Sequence, residues 1–266
     1  MAARKHILNI IPSRGKENDW DYDQAIENGD VRAKVALPET VDLREPWWKI
    51  SNQGPTGSCV GWSTADGVLR WHFTKKRKIK PGELLSVRFI WMSAKETDEF
   101  TQAPTTFLED TGTSLKSALD IARKFGCVKD DVLPFGSAKL YPGDEEQFYK
   151  LAGKMKIAAY YNLAKNNVDK IQTWKKWLAA GKGPILTCLD VDRTWDNALL
   201  TKGKLDKYYP KSVKGGHAIC IVGYTPDRII IRNSWGTKEW GDKGFAYASY
   251  DYARAAFNEA YGVTLP

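Results

Sequence analysis

The sequence predicts an α+β protein in which a helical half precedes a β-rich half. Apolar residues recur at helical intervals from residue 59 to about 135, whereas the second half holds short apolar runs bounded by turn residues. The chain of 266 residues is 42% apolar and 27% charged, a balance typical of a folded globular protein. We therefore expect a helical lobe and an antiparallel β lobe with a cleft between them.

Three helices are predicted in the first half. The first begins at Cys59 and ends near residue 75, and Ser58 is positioned to cap its N-terminus. The second covers 86–96. The third covers 114–125 and stops at Gly126, because glycine commonly follows the last turn of a helix.

The second half begins with a helix at about 168–180 and continues with strands. Predicted strands cover 184–191, 218–222, 228–232 and 244–250. The turn residues at 224–227 separate the second strand from the third, which favours antiparallel pairing of these two. Such a β lobe would hold His217 on the wall of the cleft opposite Cys59.

Composition and charge exclude several classes of function. The formal net charge is +8, but its densest basic run, 74–80, has no accompanying nucleic-acid motif, so we do not expect nucleic acid as a partner. No apolar stretch reaches the roughly 18 residues of a membrane span, and no signal peptide is evident. The cysteines show neither a disulfide pattern nor metal-ligand spacing. We expect a reducing cytoplasm by default, with secretion by a signal-independent route left open, and no metal. The sequence does not specify the oligomeric state.

Four polar residues have the types that a thiol hydrolase needs. Cys59 lies at a predicted helix N-terminus, which lowers the pKa of a thiol, and a nearby His217 imidazolium would lower it further. Asn233 could orient the imidazole without adding charge, and Trp235 could shield that bond from water. Gln53 could join the Cys59 backbone N–H in an oxyanion hole.

These residues lie in segments that resemble the papain family of cysteine peptidases. The matching segments are 37–44, Gly57-Ser-Cys59, Gly216-His217-Ala-Ile, Asn233-Ser-Trp-Gly236 and Trp240-Gly-Asp-Lys-Gly-Phe245. The resemblance implies a helical lobe and a β-barrel-like lobe around an active-site cleft. It also implies hydrolysis of polypeptide substrates through an acyl-thioester, without cofactor or metal. Cys59 would be the nucleophile, His217 the base and acid, Asn233 the orienting residue and Gln53 the oxyanion donor.

The resemblance also points to substrate-binding residues. Gly112 would pair its backbone with the substrate, and Trp235 is also expected among the residues that bind the substrate. Cys188, Ala218 and Leu115 would line the pocket for the second residue before the cut, and their small or apolar side chains favour an apolar substrate residue there.

Two departures from the family bear on the setting of the enzyme. Thr56 replaces the family's disulfide-bonded cysteine, and Val60 replaces its usual tryptophan. The missing disulfide, together with the short N-terminal region, resembles a bacterial type of family member.

Residues 1–36, called the leader below, are too short for the family's usual inhibitory propeptide. We expect the leader to cross the cleft or to brace a lobe, with Trp20 or Tyr22 as its anchor. Residues 37–266 would form the peptidase domain, with a helical lobe over about 50–150 and a β lobe over about 155–255.

Alternatives to an endopeptidase remain open from the sequence. The same triad could serve an amidase or transpeptidase acting on a non-protein amide or a cell-wall peptide. The chain could also be a catalytically silent binding protein with a papain fold, because fold alone does not fix function.

Overall fold

The computed structural model describes residues 6–98, 103–136, 140–165 and 169–266, and it has the predicted α+β architecture. Its helices are α1 (Tyr22–Glu27), α2 (59–75), α3 (Val87–Glu96), α4 (Leu115–Lys124), α5 (Glu145–Gly153), α6 (Lys170–Ala179) and α7 (Tyr250–Ala256). The three helices predicted in the first half are confirmed as α2, α3 and α4. The predicted start of α6 at residue 168 lies outside the described residues.

Eight strands form a single sheet with one parallel pair. They are β1 (Val41–Asp42), β2 (Ala159–Asn162), β3 (Ile185–Val191), β4 (Lys204–Leu205), β5 (Gly215–Tyr224), β6 (Arg228–Arg232), β7 (Phe245–Ser249) and β8 (Phe257–Thr264). The strand order is β2-β8-β3-β5-β6-β7-β4, with β1 paired to β5, and only β4 and β7 run parallel. Within the described residues the end strands β2 and β4 do not pair, so the sheet is open rather than closed into a barrel.

The sheet is apolar on both faces because each face covers a separate core. On β5, Ala218 and Cys220 face the helical lobe, whereas Ile219 and Ile221 pack with α6 and α7 on the other side. This alternation follows from the two-residue period of a strand. His217 precedes Ala218, at the end of β5 where the two lobes meet.

Helix α2 runs continuously over 59–75, but its hydrogen bonding changes along its length. It is an α-helix over Cys59–Gly61, a π-helix over Trp62–Leu69 and an α-helix again over Arg70–Lys75. The predicted cap is wrong: the Ser58 hydroxyl makes no cap bond and instead lies 2.6 Å from the Thr56 hydroxyl. A π-helical stretch often marks a functional region of a helix.

Gly67 brings α2 close to the sheet. A Cβ atom at this position would clash with Cys220 Sγ, and the same sulfur contacts the Ser63 carbonyl at 3.1 Å. The absence of a side chain at Gly67 therefore sets the distance between α2 and β5.

We expect Gly67→Ala to lower the free energy of unfolding by about 1–3 kcal/mol, the usual cost of overpacking a core. The measurement is the urea midpoint of unfolding. The double variant Gly67→Ala with Cys220→Ala should recover stability, because the remaining Cys220 Cβ lies at an ordinary contact distance of 3.8 Å. An unchanged midpoint for the single variant would contradict this account of the helix–sheet contact.

A buried ion cluster joins α2 to β6. Asp66 accepts from Arg70 at 2.8 Å and from Arg232 at 2.7 Å, and all three side chains are buried. Arg232 also donates to the Lys49 carbonyl at 2.8 Å. Because Asn233 follows Arg232 directly, this cluster fixes the end of β6 from which the asparagine projects.

The leader packs against both lobes. Asp21 caps α1, with Gln24 completing a capping box. One carboxylate oxygen of Asp19 lies 2.5 Å from Lys116 of α4, and the other accepts from Tyr261 of β8 at 2.9 Å. Asp19 therefore joins the helical lobe to the β lobe. Of the two expected anchors, the Trp20 side chain is 51% exposed and stacks beside Tyr161, whereas Tyr22 packs, partly buried, against the core of the β lobe.

Candidate active site

Cys59 starts α2 and is fully buried at the junction of the lobes. The backbone N–H of Ala218 contacts its thiol, which places the sulfur beside the residue that follows His217. Burial raises the pKa of Cys59 to about 11, although this N–H partly offsets the effect. The lowered pKa expected from the sequence is therefore not found in the chain with its leader in place, because desolvation of the thiolate by burial is the largest influence on the pKa of this thiol.

His217 and Asn233 form a hydrogen bond whose direction the structure defines. His217 Nε2 lies 2.7 Å from Asn233 Oδ1, and the same oxygen accepts from the Ser234 backbone N–H at 2.7 Å. A backbone N–H can only donate, so it fixes which side of the Asn233 amide carries the oxygen. Nε2 must then be the protonated nitrogen, which leaves Nδ1 bare in the neutral imidazole.

His217 Nδ1 is the remaining ring nitrogen. It is buried and has no hydrogen-bond partner among the residues that the structure describes. Burial lowers the pKa of His217 to about 4, even though the Asn233 bond works in the opposite direction. In the chain with its leader in place, the imidazole is therefore neutral and has an unused proton acceptor.

Tryptophan rings enclose the His217–Asn233 pair. The Trp235 ring lies 4.8 Å from the imidazole, and Trp195 meets it edge-on at 5.8 Å. Trp240 packs behind both tryptophans, 4.5 Å from Trp195. An apolar sheath of this kind keeps water from the bond and strengthens it.

Gln53 is tied to the residue after Asn233 at both its backbone and its side chain. Its backbone N–H donates to the Ser234 carbonyl, and its Oε1 accepts from the Ser234 hydroxyl, both at 2.8 Å. Its Nε2 donates one hydrogen to the Thr56 carbonyl at 3.0 Å. The second N–H of this amide is left for another acceptor.

The leader crosses the cleft over these residues. The backbone of Asn9 forms an isolated parallel β-bridge with Gly216 on the β lobe. The Asn9 side chain donates to the Asp110 carbonyl on the helical lobe. Ile11 N–H donates to the Thr113 carbonyl at 3.1 Å. A Cβ atom at Gly112 would clash with the Asn9 carbonyl, so the leader backbone lies where Gly112 was expected to meet a substrate.

His6, the first leader residue that the structure describes, reaches the tryptophan rings around His217. The His6 ring stacks on Trp235 with centroids 4.5 Å apart and planes within 2°. His6 also contributes, after burial, to lowering the pKa of His217. The leader therefore covers the site from the Trp235 side to the Thr113 side.

The expected pocket residues lie together in one apolar cluster. Cys188, Ala218 and Leu115 all belong to the core that also contains Cys59, and Ile10 of the leader packs against that core. On the sheet, Cys188 and Ala218 stand opposite each other in the register of β3 and β5. All three predicted side chains are buried while the leader is in place.

Comparison with known proteins gives the family. The sequence model described as "Papain family cysteine protease" matches residues 37–262, which is most of the chain. The chain belongs to the papain family. Papain from Carica papaya is 25% identical over 239 residues, which cover 85% of this chain and 58% of papain's own sequence. The chain thus spans less than two thirds of that relative's length.

Solved papain-family structures share the fold. Xylellain, a cysteine protease from Xylella fastidiosa, superposes with a TM-score of 0.73 at 22% identity, covering 100% of this chain and 99% of that one. A Carica candamarcensis cysteine protease in complex with E-64 has a TM-score of 0.60 at 20% identity, covering 86% and 99% of the two chains.

Several residues around the site were not found from the sequence. Trp195 lies outside the short motif segments that carried the resemblance, and His6 and Asn9 lie in a stretch with no recognisable pattern. Glu259 of β8 follows the last of those short segments. The described residues contain no group of three or more metal-ligating side chains. They also contain no helix long and apolar enough to span a bilayer.

Proposed function

We propose that the chain is a cysteine endopeptidase that uses Cys59, His217 and Asn233. One observation carries this proposal: Asn233 and Ser234 fix the histidine tautomer so that the bare Nδ1 is the nitrogen left for the thiol. Asn233 holds the ring through a neutral oxygen, so it can orient both the imidazole and the imidazolium. A histidine kept only for packing would not need this orientation.

The reaction begins with proton transfer from the Cys59 thiol to His217 Nδ1. The thiolate attacks the substrate carbonyl, and the negative charge on its oxygen is stabilised by the Cys59 backbone N–H and the free Gln53 N–H. The imidazolium then donates its proton to the leaving amine, which leaves an acyl-thioester on Cys59. His217 next takes a proton from water, and the resulting attack releases the acid and restores the thiol.

A polypeptide is the substrate class that this cleft fits best. The leader is itself an extended peptide that hydrogen-bonds along the cleft, to Gly216 on one wall and to Thr113 on the other. Backbone pairing of this kind is a general way of binding extended peptides. The same occupancy makes the full chain a latent form, in which substrate must displace the leader.

Labelling with a thiol-reactive epoxide tests this proposal against a silent binding protein. A working site should attach one epoxide to Cys59, identified by peptide mass, and Cys59→Ala should remove the label. The absence of label both on the folded wild-type chain and on folded Asp19→Ala, which loses the leader's bonds to Lys116 and Tyr261, would support the binding protein instead.

Product analysis on a peptide library separates hydrolysis from transfer. We expect new carboxyl termini and free amines in equal amounts. Transfer products without hydrolysis would favour the amidase or transpeptidase alternative. A cytoplasmic, reducing setting remains a prediction from the sequence.

A further inference from the structure

A cluster of cations surrounds the C-terminal end of α2, at the other end of this helix from Cys59. Five basic residues within six positions form what is called the basic turn below: Lys75, Lys76, Arg77, Lys78 and Lys80. All five are exposed. Lys154, which follows α5 and is also exposed, joins them, because the Lys78 ammonium donates to its carbonyl at 3.5 Å. At about 1.5 Å per residue, α2 places this cluster roughly 25 Å from Cys59.

Few carboxylates neutralise the cluster. Glu45 pairs with Lys75. Glu83, the sole acid between residues 70 and 84, pairs with the Lys129 ammonium at 2.5 Å. Among the residues that the structure describes, five cations of the cluster have no ion pair with a carboxylate: Lys76, Arg77, Lys78, Lys80 and Lys154. The C-terminal end of α2 therefore presents a strongly positive surface.

Arg77 has a backbone conformation that disfavours a side chain. Its φ of 56° lies in the left-handed region. Lys78 N–H donates to the Phe73 carbonyl at 2.8 Å, and Arg77 N–H donates to the Thr74 carbonyl at 2.9 Å. Helices commonly end with these two hydrogen bonds, and the left-handed residue between them is usually glycine. An arginine at this position costs backbone free energy, which points to a role outside folding.

The surface around the basic turn suits a flat anionic partner. Trp71 and Phe73, the rings beside these cations, are 8% and 0% exposed, so they offer no platform on which nucleic-acid bases could stack. Leu84 is 38% exposed and directly follows a tight turn, in which Glu83 N–H donates to the Lys80 carbonyl at 3.0 Å. Exposed apolar side chains beside several cations are typical of sites that bind a membrane surface.

We propose that the basic turn, together with Lys154 and Leu84, docks the protein on the surface of a bilayer that contains anionic lipids. The cations lie among the lipid phosphates, and Leu84 enters the boundary between headgroups and acyl chains. Each lysine or arginine at such a surface strengthens binding by about fivefold. Because α2 separates the docking surface from Cys59, the docked molecule keeps its cleft clear of the bilayer.

Vesicle sedimentation of the full chain tests this proposal. One set of vesicles contains phosphatidylcholine alone, and the other contains an equal mixture of phosphatidylcholine and phosphatidylglycerol. We expect binding to the mixed vesicles at low salt, a much lower affinity at high salt because salt screens exposed charges, and no binding to phosphatidylcholine alone. If the wild-type chain does not bind the mixed vesicles at low salt, the proposal fails without any variant having to fold.

Two triple variants remove the same charge from different surfaces. The test variant neutralises three cations of the basic turn: Lys76→Gln, Arg77→Gly and Lys80→Gln. The control variant neutralises three exposed lysines of the β lobe: Lys202→Gly, Lys204→Gln and Lys211→Gln. Lys202 also has a positive φ, 50°, so its replacement by glycine relieves the same kind of backbone strain. We expect the affinity for mixed vesicles to fall about 100-fold in the test variant and to stay at the wild-type value in the control. Equal losses would mean that net charge, not the basic turn, drives the binding.

Arg77→Gly alone separates docking from a role in folding. Glycine removes the charge and suits the left-handed backbone, so the affinity should fall about fivefold while the melting temperature stays level or rises. A lower melting temperature with unchanged affinity would give Arg77 a structural role and overturn the proposal.

Nucleic acid is the alternative partner for a basic surface. Binding to duplex DNA that the test variant abolishes, without binding of the wild-type chain to mixed vesicles, would overturn the proposal in favour of nucleic acid. None of these measurements depends on catalysis by Cys59, so they stand whether or not the proposed peptidase function holds.

Discussion

Replacing His217 with glutamine is expected to lower kcat/KM for peptide hydrolysis by about 10⁴- to 10⁶-fold, the range seen when a triad base is removed. Glutamine can still contact Asn233, but it cannot take the thiol proton or protonate the leaving amine. Once the leader has been displaced from the cleft, the rate at which iodoacetamide alkylates Cys59 should also be lower in this variant than in the wild-type chain. Initial rates on a fluorogenic peptide and mass analysis of the alkylated cysteine measure the two effects.

His72 provides a matched control for this experiment. It is also a buried histidine whose pKa is lowered to about 4 by burial, but it lies on α2 against Trp71 and Gly183. His72→Gln should change the melting temperature while leaving kcat/KM within a few-fold of wild type. Equal losses of activity in the two variants would mean that His217 acts through packing.

Loosening the leader is expected to raise peptidase activity by about 100-fold. Asp19→Ala removes the ion pair with Lys116 and the hydrogen bond from Tyr261, and breaking a buried ion pair costs about 3–5 kcal/mol. The lost free energy lowers the occupancy of the cleft by the leader. Initial rates of the full-length variant and the wild-type chain give the comparison.

The control for this prediction changes the same charge elsewhere in the leader. Asp23→Ala removes an exposed carboxylate from α1 without touching either lobe bridge, so its rate should match wild type. If Asp19→Ala folds with no gain in activity, the leader does not restrain the enzyme.

The pH at which Cys59 becomes reactive should differ between the chain with its leader in place and the chain whose leader is displaced. With it, the pKa of Cys59 is about 11 and that of His217 about 4, so both groups are neutral near pH 7 and alkylation should accelerate only toward high pH. Once the leader is displaced, water reaches both groups, and the thiolate–imidazolium pair should react at neutral pH. The measurement is the rate of Cys59 alkylation as a function of pH for the wild-type chain and for Asp19→Ala. Identical pH profiles for the two proteins would contradict this account.

Acid should favour release of the leader. Burial, to which the leader contributes, lowers the pKa of His217 from the ordinary value of about 6.5 to about 4. The open form therefore binds a proton more readily, and its population should grow as the pH falls from about 6.5 to about 4. Below that range both forms are protonated and the effect stops growing.

Local patterns were sufficient to predict helices α2, α3, α4 and α6 and the motif segments that hold Cys59, His217 and Asn233, whereas α1, α5 and α7 were missed. The apolar spacing that defines α3 and α4 acts within one helix, and the motif residues lie in short continuous segments. Strand β8 was missed because Asn258, Glu259 and Gly262 are poor strand formers. Its place between β2 and β3 comes from tertiary pairing instead.

The ionisation state of the site could not be predicted from the motifs. The sequence places Cys59 at a helix N-terminus beside a histidine, which favours a thiolate. Burial of the site, which residues 6–13 cover, raises the pKa of the Cys59 thiol instead. This covering depends on contacts of Asn9 with Gly112 and Gly216, which lie more than 100 positions away in the sequence. The position of Glu259 beside Cys188 was missed for the same reason, since it arises only from the pairing of β3 with β8.

Cleavage-site profiling of the purified chain beside Cys59→Ala tests the central claim most directly. Both proteins are incubated with the same peptide library after identical preparation, and the new termini are sequenced by mass spectrometry. The account predicts cuts by the wild-type chain and none by Cys59→Ala. Cleavage by both proteins would contradict it, and so would the absence of cleavage by both the wild-type chain and folded Asp19→Ala.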